Sequence, residues 1–289
     1  MGSLWNLLEA VIPDDHSRQV SAYDLAREEM ARPDAPDAVL DLGCGDAASA
    51  EVFRGVAPGV RWTGIDIFES DSARKVRAEQ VVLYDGVRIP LATATVPLVY
   101  SRQVFEHVRY PEVVLAEIAR VLTPGGVFIG STSHLEPYHA WSLWNYTPYG
   151  FKLLVEAAGL ELLQVRPGPD GIALITRTHG GRQPEHSRWF VEESPLNADI
   201  DEWGAQTARR PALVNNRKLQ VCGQFCFRVR KPLDWASPDV QAPPNWESVR
   251  AEGLRVAADL SYLARRRLRR SRGAQAVVRT LRSRDGGQG

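Results

Sequence analysis

Between Ala38 and Val165, short apolar runs alternate with amphipathic stretches, and this alternation constrains the fold more than any other feature of the chain. Segments 38–42, 60–67, 80–84, 97–100, 127–132 and 160–165 read as strands, rich in β-branched or aromatic residues. Segments 47–54, 111–122 and 147–158 read as helices; in the second, Val113, Val114, Ile118, Val121 and Leu122 form one apolar stripe. Parallel strands need crossovers, and crossovers are right-handed, so strict β-α order predicts a doubly wound, Rossmann-like α/β sheet with helices on both faces. Ligands of such sheets bind at the carboxyl ends of the strands.

Around this core, from 38 to 232, the chain divides further. Residues 1–37 read as a helical segment closed by the proline-rich Arg32-Pro33-Asp34-Ala35-Pro36-Asp37. Residues 168–217 break the rhythm with Gly, Pro, His and charge, and read as an insertion before a last apolar run, 219–229. Residues 233–289 form a linker and a basic amphipathic tail, with a helix expected over 246–270.

Thirty-five basic and thirty-five acidic residues cancel, so overall charge gives no reason to expect a nucleic-acid partner. The balance hides an asymmetry: nine arginines and no acid fall between 265 and 284, which leaves the rest of the chain at a net charge of −9. That run reads either as a solvated tail or as a peripheral contact with an anionic inner membrane face. Three cysteines suit a reducing compartment, no apolar run reaches the roughly 18 residues of a membrane span, and acids stand where a secretory signal is basic. A cytoplasmic protein is expected.

The connection Val39-Leu40-Asp41-Leu42-Gly43-Cys44-Gly45-Asp46-Ala47-Ala48 carries the strongest chemical signal. It satisfies the G-x-G-x-x-[GA] pattern of dinucleotide sites. Asp41 and Asp46 flank it, however, and two carboxylates repel a diphosphate while attracting an ammonium group. This argues against an NAD-dependent dehydrogenase. Gly43 and Gly45 allow a sharp bend and close backbone approach to a ligand. Asp66, twenty-one residues after Gly45 at the end of a strand, is suited to accept both hydroxyls of a ribose. Asp85 follows the next strand and is suited to the exocyclic amine of adenine. The three acids and the bare turn point to a zwitterionic nucleoside.

Together with Val104-Phe105-Glu106-His107-Val108 and Leu122-Thr123-Pro124-Gly125-Gly126, these spacings resemble the class I S-adenosylmethionine-dependent methyltransferases over residues 39–165. The resemblance implies a seven-stranded sheet whose last strand is antiparallel, with 225–232 as that strand, and S-adenosyl-L-methionine as cofactor. It puts Gly43, Cys44 and Gly45 under the methionine part, Asp66 and Ile67 at the ribose, Asp85 and Gly86 at the adenine, and Ser101 and Arg102 along the cofactor after the fourth strand. One departure is the Val96-Pro97 pair, where the family usually has an acid.

Segment 134–154, with Tyr146-Thr147-Pro148-Tyr149-Gly150, is similar to the members that modify glycans and other hydroxyl-bearing metabolites, so a saccharide or small-molecule hydroxyl is the expected acceptor. Methyl transfer from a sulfonium asks mainly for in-line positioning, and a hydroxyl adds the need for a general base. His107, after the fourth strand, and His134, after the fifth, are the candidates, followed by His139. Their alternatives are a hydrogen-bonded structural histidine for His107 and solvated loop residues for the other two. No metal is expected, because His134, Glu136 and His139 lack the i, i+4 pair of a helical zinc site and no thiolate joins them. Trp141, Trp144, Tyr146 and Tyr149 read equally as an acceptor wall or as core packing. Cys222 and Cys226 read as small buried residues on one face of the last strand. A non-catalytic alternative is a methyltransferase-fold partner protein that binds the cofactor or its product S-adenosylhomocysteine without turnover, using the insertion and tail as interaction surfaces.

Overall fold

The computed structural model describes residues 3–67 and 80–238; the helix expected over 246–270 and the arginine run lie outside them. Seven strands form one sheet: β1 Ala38–Leu42, β2 Arg61–Asp66, β3 Val81–Leu83, β4 Val96–Arg102, β5 Leu122–Ser133, β6 Glu161–Pro167 and β7 Gln224–Arg230. Their order is β3-β2-β1-β4-β5-β7-β6, with β7 antiparallel to both β5 and β6 and the pairs among β1 to β5 parallel. The doubly wound sheet with a reversed closing strand is therefore the fold of this chain.

The central strands are apolar at successive positions because both faces are covered. Leu40 and Leu42 of β1 face a cluster with Phe105, Phe128, Phe151 and Phe227, under helices α1 Leu4–Leu8, α4 Pro111–Val121 and α5 Pro148–Ala157. Val39 faces the other cluster, with Leu25, Phe53, Trp62 and Tyr100, under α2 Ala22–Met30 and α3 Ser49–Val56. Helix starts follow local chemistry. Ser21 and Asp24 cap α2 reciprocally, Pro111 opens α4 at a position where its missing N–H costs nothing, and Thr147 Oγ1 accepts from the Gly150 N–H at 3.0 Å to start α5.

Two expectations need correction. The apolar run 219–229 is not one strand, because Leu219 ends a helix and Cys222 sits before β7 in a single bridge to Asp170. Cys222 and Cys226 are both buried, but they do not share a strand face. The insertion is helical despite its glycines and prolines: α6 Gly171–His179, a 3-10 turn Pro184–Phe190, α7 Pro195–Gln206 and α8 Pro211–Leu219. Its prolines occupy first-turn positions of α7 and α8, where they start helices.

The segment between α1 and α2 docks on this insertion. Lys218, fully buried, donates to Ser17 O at 2.8 Å and pairs with Asp201 at 2.7 Å and Glu193 at 3.3 Å. Arg166 pairs with Asp15 at 2.7 Å, and Arg210 with Asp14 at 2.9 Å. No helix among the described residues is long and apolar enough to cross a membrane.

The sheet order reverses direction at β1. The chain leaves β3 at one edge and returns to β4 on the far side of β1, so a crevice opens over the carboxyl ends of β1 and β4.

Candidate active site

The turn after β1 is built for close approach. Gly43, at φ +72°, and Gly45, at φ +55°, take up the left-handed backbone that glycine tolerates. Gly43 N and Cys44 N donate to Ile65 O at 2.8 and 3.1 Å, which ties the turn to β2. A Cβ on Gly43 would lie 2.4 Å from Val104 Cγ2, whereas a Cβ on Gly45 would meet nothing within 4 Å among the described residues. Among the described residues the turn is therefore packed at Gly43 and open at Gly45. Cys44 points into the protein, against Gly64, and burial with the charges of Asp41 and Asp66 pushes its thiol far up.

The three acids sit at the carboxyl ends of adjacent strands. Asp66 Oδ2 accepts from Gly45 N at 2.8 Å and Oδ1 from Ile67 N at 2.7 Å, so one side chain fixes both the glycine turn and the end of β2. Asp41 is only 3% exposed, lies below the turn, and accepts from the Ser49 hydroxyl, which in turn accepts from Trp62 Nε1 at 3.1 Å. Burial pushes the Asp41 carboxyl up to about 7; the Ser49 hydrogen bond opposes this and the Asp66 charge adds to it. Asp46 is exposed and accepts from Ala48 N at 3.2 Å. Asp85 Oδ1 accepts from Val87 N at 3.0 Å and Arg88 N at 2.7 Å, shaping the turn that holds Gly86 at φ +76°. Burial raises the Tyr84 hydroxyl pKa, with the charges of Asp66 and Asp85 adding.

Across the crevice, Ser101 Oγ is buried with no hydrogen-bond partner among the described residues. Its neighbour Arg102 turns the other way, with its guanidinium 4.9 Å over the Tyr23 ring, clasping α2 to the end of β4.

Beyond Val104 lies a second group that spacing did not reveal. Glu106 is 0% exposed, Thr132 Oγ1 of β5 donates to its Oε2 at 3.0 Å, and its Oε1 faces His139 Nε2 at 3.8 Å. The His107 ring packs edge-on against His139, centroids 5.3 Å apart. His139 Nδ1 lies 3.2 Å from Pro137 O and 3.7 Å from Glu136 Oε1. Glu136 Oε2 accepts from Ser133 Oγ at 2.6 Å and Gln224 Nε2 at 2.9 Å. With its amide nitrogen facing the acids, Gln103 donates to Glu106 Oε1 at 2.9 Å and Glu136 Oε2 at 3.1 Å. Interaction with Glu106 raises the His139 pKa above the usual imidazole range, while burial lowers those of His107 and His134. His134 stands outside this group: its N–H donates to Gly223 O at 2.7 Å and its ring bonds the Tyr146 backbone.

The aromatic segment divides between core and surface. Tyr146 is core, its hydroxyl donating to Phe105 O at 3.1 Å, whereas Trp141 and Trp144 are exposed. The loop is strapped to the turn Phe105–His107 by Leu143 N and Trp144 N, which both donate to Glu106 O, at 2.6 and 3.1 Å. The sequence signal for Glu106 was an acid inside the apolar stretch Val104-Phe105-Glu106-His107-Val108, where an unpaired charge is costly.

Residues 40–130 match the family model of a methyltransferase domain. A protein of Mycolicibacterium smegmatis described as a probable S-adenosylmethionine-dependent methyltransferase is 31% identical over 197 residues, covering 62% of this chain and 73% of that protein. The malonyl-[acyl-carrier protein] O-methyltransferase of Alcanivorax borkumensis is 29% identical over 164 residues, 49% of this chain and 55% of that enzyme. Among solved structures, the Burkholderia thailandensis 1,6-didemethyltoxoflavin-N1-methyltransferase with bound S-adenosylhomocysteine is 17% identical, with a TM-score of 0.47 over 73% of this chain and 76% of that one. The chain belongs to the S-adenosylmethionine-dependent methyltransferases, and S-adenosylmethionine is its cofactor. Its own geometry fits that molecule: backbone at Gly45 that no described residue covers, carboxylates at neighbouring strand ends suited to a cationic nucleoside, and a buried Ser101 hydroxyl with no partner among the described residues.

Proposed function

We propose that this methyltransferase acts on oxygen, transferring its methyl group to a hydroxyl of a saccharide or small molecule that enters beside Glu106, His107 and His139. The observation that carries this reading is the wholly buried Glu106 carboxylate set against an imidazole. A hydroxyl must shed its proton as it is methylated, and a carboxylate–imidazole group provides for that. A thiol near neutral pH needs far less help.

Bound S-adenosylmethionine supplies the electrophilic methyl on a sulfonium. The backbone of Gly43, Cys44 and Gly45 carries the methionine part, Asp66 with Ile67 receives the ribose, and Asp85 with Gly86 meets the adenine edge. Ser101, whose buried hydroxyl lacks a partner among the described residues, turns it to the ligand. Asp41 lies beneath the turn, where a bound cation favours its ionised form. The Glu106 group loosens the acceptor's hold on its proton, and Trp141 with Trp144 forms the wall against which a sugar face or apolar ring stacks. His134 acts as a positioning residue for the loop.

The test is incubation with methyl-labelled S-adenosylmethionine and a panel of hydroxyl, amine and thiol acceptors, with the product methyl read by NMR. An O-methyl product is expected. Turnover confined to N- or S-methyl products contradicts the oxygen assignment.

A further inference from the structure

We propose that Glu106, His107 and His139 form a binding site for one divalent transition-metal ion of the zinc class. Each residue offers one ligand atom, and these atoms all lie within 4.8 Å of one another at the carboxyl ends of the central strands.

The way each group is held argues for this more than proximity does. Imidazoles and carboxylates that bind a metal are oriented through their other polar atom. Here Thr132 Oγ1 holds Glu106 Oε2 at 3.0 Å, Pro137 O lies 3.2 Å from His139 Nδ1, and the Trp141 backbone bonds the His107 ring. Facing the centre are Glu106 Oε1, which also accepts from Gln103 at 2.9 Å, His139 Nε2 and His107 Nδ1, the last buried with no hydrogen-bond partner among the described residues.

An imidazole that donates from Nδ1 to a carbonyl presents a lone pair at Nε2. His139 Nε2 stands 3.8 Å from Glu106 Oε1, too far for a good hydrogen bond, and a neutral ring turned this way offers its lone pair to an ion between the two. Two metal–ligand bonds of about 2.0 to 2.2 Å span a comparable gap. Glu136, 3.7 Å from His139, adds negative charge that a dication offsets.

A two-histidine, one-carboxylate set suits Zn2+, Fe2+ or Co2+, and three protein ligands leave open positions as catalytic sites do. Such an ion would lower the pKa of a hydroxyl coordinated at an open position, which gives the proposed oxygen chemistry its activation. That role rests on the O-methylation reading; the binding site itself does not. The ligands come from two segments brought together by the pairing of β4 with β5 and by the loop's bonds to Glu106 O, so no sequence spacing announces the site.

The test is titration of the chelator-treated full chain with Zn2+ against a chromophoric competitor, with Co2+ absorption as a second readout, in the absence of any acceptor. One saturable equivalent is expected, weakened roughly 100-fold or more by Glu106→Gln and by His139→Ala, and unchanged by His186→Ala, a histidine remote from the group. Melting curves and S-adenosylhomocysteine binding establish that each variant folds. His139, on a loop, is the variant to rely on if Glu106→Gln does not fold. No saturable binding, or one equivalent that survives both substitutions, overturns the site. O-methyl product formed by the metal-free enzyme overturns its role in activation while leaving the oxygen assignment intact.

Discussion

At the scale of single residues, the glycines and acids of the β1 turn carry separable loads. Asp66 anchors the Gly45 amide at 2.8 Å and is the proposed ribose ligand, so Asp66→Ala is expected to weaken S-adenosylhomocysteine binding by about 1.5 to 3 kcal/mol, read by calorimetry. Gly43→Ala is a stability change: its Cβ lands 2.4 Å from Val104 Cγ2 at a positive φ, and chemical denaturation is expected to show a loss of about 1 to 3 kcal/mol. The glycines and Asp66 were legible in the sequence because a strand, a bare turn and a second strand-end acid leave a local pattern. The partnership of Glu106 with His139 was not, since it depends on β4 and β5 lying side by side and on a loop folding back over the turn at Phe105–His107. Spacing favours His134 over His139; in the structure it is His139 that lies beside Glu106, while His134 bonds the Tyr146 backbone. His139→Ala is expected to lower kcat by about 100- to 10,000-fold with S-adenosylhomocysteine affinity unchanged.

At the scale of elements, the alternating strands and helices were readable because each buries two faces or one stripe, and a caps-and-proline grammar marks the helix starts. The helices inside the insertion are less legible, although its prolines stand at the first turns of α7 and α8, where they favour helix starts. The docking of the segment between α1 and α2 on that insertion joins residues about two hundred positions apart, beyond any local pattern. Fully buried Lys218 is central to it, and removing one member of a buried charge group leaves the others unpaired. Lys218→Ala is expected to cost roughly 3 to 5 kcal/mol in denaturant unfolding. The loop that bears Trp141 is an element of a different kind, exposed at its rings and tied at its backbone. Trp141→Ala is expected to raise the acceptor KM about tenfold and leave cofactor affinity alone, as measured by steady-state kinetics at saturating cofactor.

At the scale of the whole molecule, one buried acid couples stability to pH and to the cofactor. Burial raises the Asp41 carboxyl to about 7, above its unfolded value, so the folded apo protein holds a proton there that the unfolded chain gives up near pH 4. Stability from this group is present at low pH and is lost as pH rises toward 7, a change on the order of 4 kcal/mol. A cationic ligand favours the ionised carboxylate, so S-adenosylmethionine affinity is expected to increase between about pH 6 and 8, with proton release detectable in buffers of different ionisation enthalpy. The central claim, that the cofactor rests on the open backbone above Gly45, is tested most directly by titrating S-adenosylhomocysteine into Gly45→Ala. Because an added Cβ meets no atom of the described residues within 4 Å, the variant is expected to fold with a cost of about 1 to 2 kcal/mol yet lose at least tenfold in affinity. A folded Gly45→Ala protein that binds as tightly as the natural chain contradicts the assignment.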